Sequence, residues 1–189
     1  MKLSPSAQKV QEALHRRGFD HLQVQELSAS TRTAQEAASA VGCAVGQIVK
    51  SLIFRATSAR TYLLLVSGAN RVDLPRLEAY LGEQLEKPDA EYVRRVTGFA
   101  IGGVPPIGHT QPLEALIDPD LLDYERIYAA AGTPFALFGL SPQELLQLTG
   151  GRVLAPSEAG AKPSLPPQRC PRGGGWWKTS PLGSGYSLR

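Results

Sequence analysis

Lys50 is the residue whose setting most clearly suggests chemistry. It lies inside an otherwise apolar run, residues 48–54 (IVKSLIF), that is typical of a core strand. An ammonium flanked by that much apolar surface needs a partner or a cavity, unless its stem packs on the sheet while its head reaches water. Such a lysine could serve as a fixed cation for a phosphate or a developing oxyanion, or as a base if desolvation lowers its pKa.

A glycine-proline loop, residues 102–109 (GGVPPIGH), is the second candidate. Gly102 and Gly103 allow positive φ or a close approach of the backbone to a ligand. Pro105 and Pro106 have fixed φ and no N–H, so they stiffen the loop. A stiff loop can aim its remaining amides at a carbonyl or an oxyanion, although the same sequence also suits a tight connector.

Other polar residues are weaker candidates. His109 could transfer protons, orient water or contact a phosphate, or it could be an ordinary surface residue. Ser67, Gly68 and Asn70 follow an apolar run and could bind a ligand or simply form a turn. The three histidines and two cysteines have no metal-binding or nucleophile-histidine spacing, so the sequence predicts neither a metal nor a cofactor.

The elements that must position these residues are a set of strands and helices. Apolar patterns predict strands over 22–27, 49–56, 62–66, 126–131 and 135–138, with an edge strand at 153–154. Short turns join 49–56 to 62–66 and 126–131 to 135–138, which predicts two antiparallel hairpins. Capping residues predict five helices, which begin at Ser4, Thr33, Asp73, Asp89 and Ser141. We therefore predict the α+β class, with a mixed, largely antiparallel, curved and barrel-like sheet flanked by helices.

Composition divides the chain into a predicted domain, 1–154, and a tail, 155–189. The tail holds six prolines, six glycines and five serines, which predicts a flexible segment, with Trp176 and Trp177 as its sticky element. It is either a loose extension or a docking peptide. The net charge of the whole chain is +3. The tail alone carries +4, so the charges of the first 154 residues sum to −1. A near-neutral domain is not expected to coat long nucleic acid.

The sequence also indicates in which cellular compartment the protein is expected. No run of 18 apolar residues is present, and the first residues lack the apolar stretch of a signal peptide. Cys43 and Cys170 lie far apart. We therefore expect a cytoplasmic protein with reduced thiols and no membrane contact.

The order of these parts resembles the YbaK family, which comprises the prolyl-tRNA synthetase editing domain and its free-standing relatives. The similarity covers roughly residues 5–154. The segments that carry it are Thr33–Ala38, Val49–Ile53, Ser67-Gly68, Gly98–His109 and Ile127–Gly132.

The resemblance implies a metal-independent hydrolase that deacylates mischarged tRNA in trans. In the family, the lysine that matches Lys50 is the main functional side chain. The backbone of the loop that matches Gly102 to Pro106 helps to hold the aminoacyl group. Catalysis is thought to use a ribose hydroxyl of the substrate and a positioned water. The implied partners are the acceptor end of a mischarged tRNA and, as a further candidate, an aminoacyl-tRNA synthetase.

The expected site follows from the residues and the resemblance together. The catalytic candidates are Lys50, Gly102 and Gly103, and the substrate-binding candidates are Ser67, Gly68, Asn70, Pro106, His109 and Gly132. Some relatives have a polar residue near the segment that matches 129–131, which is all alanine here, so the amino acid removed stays open. The alternative is a non-catalytic module of the same fold that recognises a tRNA acceptor end, a nucleotide or a synthetase. A hydrolase for another small ester would need the same site without tRNA contacts.

Overall fold

The computed structural model describes residues 2–154, and the predicted tail with Cys170, Trp176 and Trp177 lies outside the described residues. In the described part the α-helices are α1 (Pro5–Arg16), α2 (Ala34–Val41), α3 (Leu74–Leu81), α4 (Ala90–Thr97) and α5 (Pro142–Thr149). The strands are β1 (Gln25–Glu26), β2 (Ile48–Ala56), β3 (Thr61–Ser67), β4 (Leu85–Glu86), β5 (Glu114–Ile117), β6 (Ile127–Ala130), β7 (Ala136–Leu140) and β8 (Arg152–Val153). Short 3₁₀ helices span Val45–Gln47 and Pro119–Asp123. None of the described helices is long and apolar enough to cross a membrane.

All eight strands form one sheet in the order β1-β7-β6-β2-β3-β5-β8, with β4 paired to β2. The hairpins β2–β3 and β6–β7 are antiparallel, as predicted, and so are the pairs β1–β7 and β2–β4. The pairs β2–β6, β3–β5 and β5–β8 are parallel. The predicted α+β class with a mixed sheet is therefore confirmed.

The two faces of β2 pack in different cores. Ile53 contributes to the larger core, which includes α1, α4 and α5, whereas Phe54 contributes to a smaller core with Leu77 of α3. Leu52 packs against this smaller core, which confirms the predicted alternation along the strand. Lys50 therefore belongs to the same face as Leu52 and Phe54.

The cap residues fix most helix starts as predicted. Thr33 and Ser141 form capping boxes, and the carboxylates of Asp73 and Asp89 accept from backbone amides of the first turn. Ser4 occupies the predicted N-cap position of α1, but its side chain makes no capping hydrogen bond. Its hydroxyl donates to the carboxylate of Glu26, so it ties the start of α1 to β1.

The predicted strand over 22–27 is shorter in the structure, where only β1 pairs with a neighbour. The side chain of Gln11, on α1, explains the difference. Its amide nitrogen donates to Leu22 O at 2.9 Å, and its oxygen accepts from Val24 N at 2.8 Å. A helix side chain thus satisfies backbone groups that a partner strand would otherwise have paired.

One edge of β2 is only partly covered. β3 pairs with β2 from Val49 to Arg55, but on the opposite edge β6 pairs with residues 48–49 and β4 with residues 55–56. Within the described part of the chain, residues 50–54 have no strand beside them on that edge. The gap leaves space next to Lys50.

Gly68→Ala tests how tightly the residue that follows the β2–β3 hairpin is packed. A Cβ at Gly68 would lie 2.1 Å from the carbonyl oxygen of Val45, which is backbone and cannot swing away. We expect the variant to lose about 1–3 kcal/mol of unfolding free energy, measured by urea denaturation. The control is a substitution at the exposed neighbour, Ala69→Ser. Equal stability of both variants would contradict the packing described here.

Candidate functional site

A cavity of about 290 Å³ opens beside the uncovered edge of β2. Four parts of the chain line it: the start of α2 with the segment before it, β2, the hairpin β6–β7, and the glycine-proline loop. The lining residues are Thr31 to Ala34, Ala37, Ile48 to Leu52, Ile101, Gly102, Val104, Tyr128 to Ala130 and Leu137. The cavity therefore joins segments that are distant in sequence.

The wall is mostly apolar and built from small side chains. Ala34, Ala37, Ala129 and Ala130 all contribute to it. The described residues of the lining include two cations, Lys50 and Arg32, but no carboxylate, imidazole or thiol. Such a cavity suits a small uncharged group next to an anionic or polar one.

Lys50 is half-buried, and its ammonium donates a hydrogen bond to the backbone oxygen of Asn70. Burial lowers the pKa of Lys50 below the usual 10.5, and the nearby positive charge of Arg71 lowers it further. The carboxylate of Asp118 acts in the opposite direction. Asn70 and Asp118 thus compensate in part for the water that Lys50 has lost.

A polar bracket, which we define as Ser67, Asn70, Asp118 and Asp120, holds the turn that binds Lys50. The Asn70 side-chain amide donates to Asp118 Oδ2 at 2.8 Å and to Asp120 Oδ2 at 2.7 Å. Asp118 Oδ2 also accepts from Ser67 N at 3.0 Å. Asp118 is only 1% exposed, so its hydrogen bonds are needed to offset the burial of its charge.

Three residues that were expected to bind substrate, Ser67, Gly68 and Asn70, have structural contacts instead. The hydroxyl of Ser67 is buried and donates to Gly46 O at 2.8 Å, and the amide of Asn70 is directed at the two carboxylates. Gly68 packs against the backbone of Val45. The structure does not bring these residues to the cavity wall. It places them behind Lys50.

The glycine-proline loop begins with a tight turn in which Gly103 N donates to Ala100 O at 3.1 Å. Gly102 has φ +91°, a conformation that L side chains rarely adopt, and it lines the cavity. Its N–H has no hydrogen-bond partner among the described residues. Gly102 therefore lines the cavity with an N–H that no described residue occupies, whereas the N–H of Gly103 is occupied within the turn.

Gly103 and Gly132 instead allow the backbone of the loop to contact the backbone of the β6–β7 hairpin. Gly132 N donates to Gly103 O at 2.9 Å, and a Cβ on Gly103 would lie 2.8 Å from Thr133 N. Neither residue belongs to the cavity lining. Their contact fixes the loop against the β6–β7 hairpin.

His109 and Pro106, which belong to the same loop, make contacts away from the cavity. Nε2 of His109 donates to Pro105 O at 2.8 Å, and the ring packs edge-on against Phe99. Burial lowers the pKa of His109 below its usual 6.5, so the side chain is neutral at pH 7. Pro106 is buried. Neither residue lines the cavity.

The sequence did not single out several lining residues. Ser51 lies next to Lys50, and its hydroxyl is buried without a hydrogen-bond partner in the described part of the chain. Thr31 and Arg32 also line the cavity. Their position just before the capping box of α2 is the only sequence signal that could have indicated them. The sequence predicted a strand at Tyr128 but gave this residue no role in the site.

Known proteins share both the sequence pattern and the fold. A family model described as an aminoacyl-tRNA editing domain matches residues 28–148. A solved structure described as a candidate trans-editing enzyme for prolyl-tRNA synthetase is 58% identical, with a TM-score of 0.78, over 81% of this chain and 97% of that one.

Two curated relatives are more distant. YwhH of Bacillus subtilis is 28% identical over 130 residues, which are 69% of this chain and 83% of the relative. EbsC of Enterococcus faecalis, named as a candidate Cys-tRNA(Pro)/Cys-tRNA(Cys) deacylase, is 25% identical over 121 residues, which are 64% of this chain and 74% of that protein. The family match spans well over half of the chain and includes both Lys50 and the loop at Gly102. It confirms the resemblance inferred from sequence, and the chain belongs to the aminoacyl-tRNA editing domain family.

Proposed function

We propose that the protein is a free-standing deacylase that hydrolyses the ester between a wrong amino acid and its tRNA. The observation that carries the proposal is that Lys50 and Gly102 line the same small apolar cavity, and that the N–H of Gly102 has no hydrogen-bond partner among the described residues. The family membership and the names of the relatives support the same reaction. The substrate is formed during translation, so the proposal places the protein in the cytoplasm.

The reaction needs little from side chains beyond positioning and charge. Water adds to the ester carbonyl carbon, and the bond from that carbon to the ribose oxygen breaks. The products are the free amino acid and a tRNA with a free hydroxyl. Negative charge develops on the carbonyl oxygen, and preorganised donors or cations can stabilise it. Gly102 N–H and the Lys50 ammonium are suited to that task.

In this proposal the substrate itself positions the attacking water, and the proton that this water loses ends on the ribose oxygen that leaves. The described lining has no carboxylate or imidazole that could act as a general base, and His109 is engaged with Pro105 O outside the lining. A ribose hydroxyl next to the ester can position the attacking water, as the family resemblance implies. An aminoacyl ester is already activated, so holding it in a reactive geometry contributes much of the rate enhancement.

Lys50 has two possible targets in the bound substrate. It can bind the phosphate of the terminal nucleotide, or it can polarise the ester carbonyl. In both roles it must be protonated, and the bracket behind it favours that state through Asn70 O and Asp118. The bracket residues therefore act through Lys50 and are positioning residues.

The cavity wall favours an amino acid with a small uncharged side chain. Alanines line it on two sides, from α2 and from β6, and no lining carboxylate is present to bind a basic side chain. A synthetase gains only ~1–3 kcal/mol of discrimination from one methylene group, so small wrong amino acids escape its first selection. A second small cavity that hydrolyses such products completes the selection. A synthetase that releases these products is a candidate partner.

Lys50→Ala tests the main assignment. We expect kcat/KM for deacylation to fall by about 10²–10³-fold, the range found when one oxyanion donor is removed. The assay is release of the amino acid from a panel of correctly and wrongly charged tRNAs. Lys87→Ala, at an exposed lysine outside the cavity, is the matched control and should keep full activity.

Two results of this assay would contradict the proposal. In one, the wild type hydrolyses none of the panel although it binds tRNA or a synthetase, which would favour the non-catalytic module. In the other, wild type and Lys50→Ala hydrolyse the same species equally fast, which would place the chemistry elsewhere.

The pH dependence tests whether Lys50 acts as a cation. Enzymatic hydrolysis, corrected for spontaneous hydrolysis, should decline as pH rises through the pKa of Lys50, which lies below 10.5. Asp118 raises that pKa, so Asp118→Asn should lower it and move the decline to lower pH. The control Asp123→Asn changes an exposed carboxylate of the same 3₁₀ helix. An unchanged profile in Asp118→Asn would argue against the bracket.

Deletion of residues 156–189 tests the tail. These residues lie outside the described part, but their basic charge and Trp176-Trp177 could add affinity for tRNA through phosphates and stacked bases. We expect a higher apparent KM with little change in kcat. Identical kinetics of the full and shortened chains would remove the tail from substrate binding.

A further inference from the structure

Two large apolar side chains are exposed on the described part of the molecule, and both belong to segments that border the cavity. Ile101 is 60% exposed and Phe135 is 44% exposed. Ile101 is part of the cavity lining, and Phe135 lies in the turn between β6 and β7. One exposed apolar side chain is ordinary on a protein surface, but two of them on segments that border the same cavity are candidates for contact with a ligand.

Backbone contacts join the segments that carry these side chains. The loop of Ile101 is bonded to the β6–β7 hairpin through Gly132 N and Gly103 O, at 2.9 Å. The turn of Phe135 is bonded to the segment before α2, because Leu27 N donates to Phe135 O at 2.8 Å and Thr31 N to Pro134 O at 2.6 Å. The three segments are therefore joined to one another beside the cavity, and we call the surface that they share the rim.

Arg32 adds a cation to this rim. It is exposed, lines the cavity, and has no carboxylate within ion-pair distance in the described part of the chain. A Cβ on Gly102 would lie 3.5 Å from Cγ of Arg32, so the arginine stem passes over the loop. The nearby carboxylate of Glu36 is occupied by Ser30 Oγ and Thr33 N.

We propose that this rim, defined as Arg32, Ile101 and Phe135, is the docking surface for the unpaired 3′-terminal nucleotides of the tRNA. The inference rests on the proposed function. If the aminoacyl group occupies the cavity, the ribose lies at its mouth and the preceding nucleotides must lie on the rim. Bases pack on the apolar side chains, and a backbone phosphate pairs with Arg32. The docking is local, as expected for residues 1–154 with a summed charge of −1.

The test measures binding separately from hydrolysis. The probe is a short single-stranded RNA whose 3′ end carries alanine through an amide bond, which is not cleaved as an ester is. Its dissociation constant is measured by fluorescence anisotropy at several salt concentrations. Phe135→Ser should weaken binding about tenfold, because stacking on an aromatic ring contributes that order of affinity per base. Ile101→Ser should weaken it about threefold, since an aliphatic side chain offers a smaller surface.

The salt dependence identifies the role of Arg32. Arg32→Ala should reduce the slope of log K against log salt by about 0.7, the value for one phosphate contact on a single strand, whereas Phe135→Ser should leave the slope unchanged. Arg94→Ala, at an exposed arginine on α4, is the matched control and should alter neither quantity. Thermal unfolding of each variant checks that the fold is intact.

The binding results test the rim separately from hydrolysis. Wild-type affinity in Phe135→Ser and Ile101→Ser, or an unchanged slope in Arg32→Ala, would overturn the inference. So would a wild type that does not bind the probe. If the variants weaken binding as expected while wild type hydrolyses no mischarged tRNA, the docking surface stands and the proposed deacylase activity fails.

Discussion

A partly buried ammonium is the constraint on which this site depends. Lys50 lies on a strand whose neighbours are apolar, so the protein must replace the water that the charge has lost. It does so with one backbone oxygen, that of Asn70, and with the negative charge of Asp118. Because Asp118 is itself buried, it needs donors of its own, and these come from the same turn. The polar bracket thus supports the site through Lys50, although none of its four residues lines the cavity.

The incomplete pairing of β2 leaves space beside Lys50 in which a ligand can bind. If β6 or β4 extended along the whole edge, main-chain hydrogen bonds would fill the space beside residues 50–54. Instead, α2 and the glycine-proline loop approach the gap and enclose a cavity. The loop can do so because Gly102 adopts positive φ and Gly103 leaves room for the neighbouring backbone. Strand pairing and turn conformation together set the shape of the site.

The parts of the fold and site that the sequence predicted are those with local signals. The two hairpins, four of the five helix caps, Lys50 and Gly102 all follow from short patterns. The roles of Ser67 and Asn70 could not be predicted, because their partners Gly46 and Asp118 are 21 and 48 residues away. The same limit explains the shortened strand at β1, where a helix side chain replaced a strand partner. Arg32 became a candidate only when the fold placed it beside Gly102.

The alanines of the cavity wall bear on how such a domain can diverge. Ala37 and Ala129 are nearly fully buried, yet each also borders the cavity. Neither one touches the hydrogen bonds that hold Lys50 or shape the loop. The side chains at these two positions therefore limit the volume of the cavity without taking part in the polar contacts of the site. Under the proposed function, the positions that would set the substrate range are therefore separate from those that would carry the reaction.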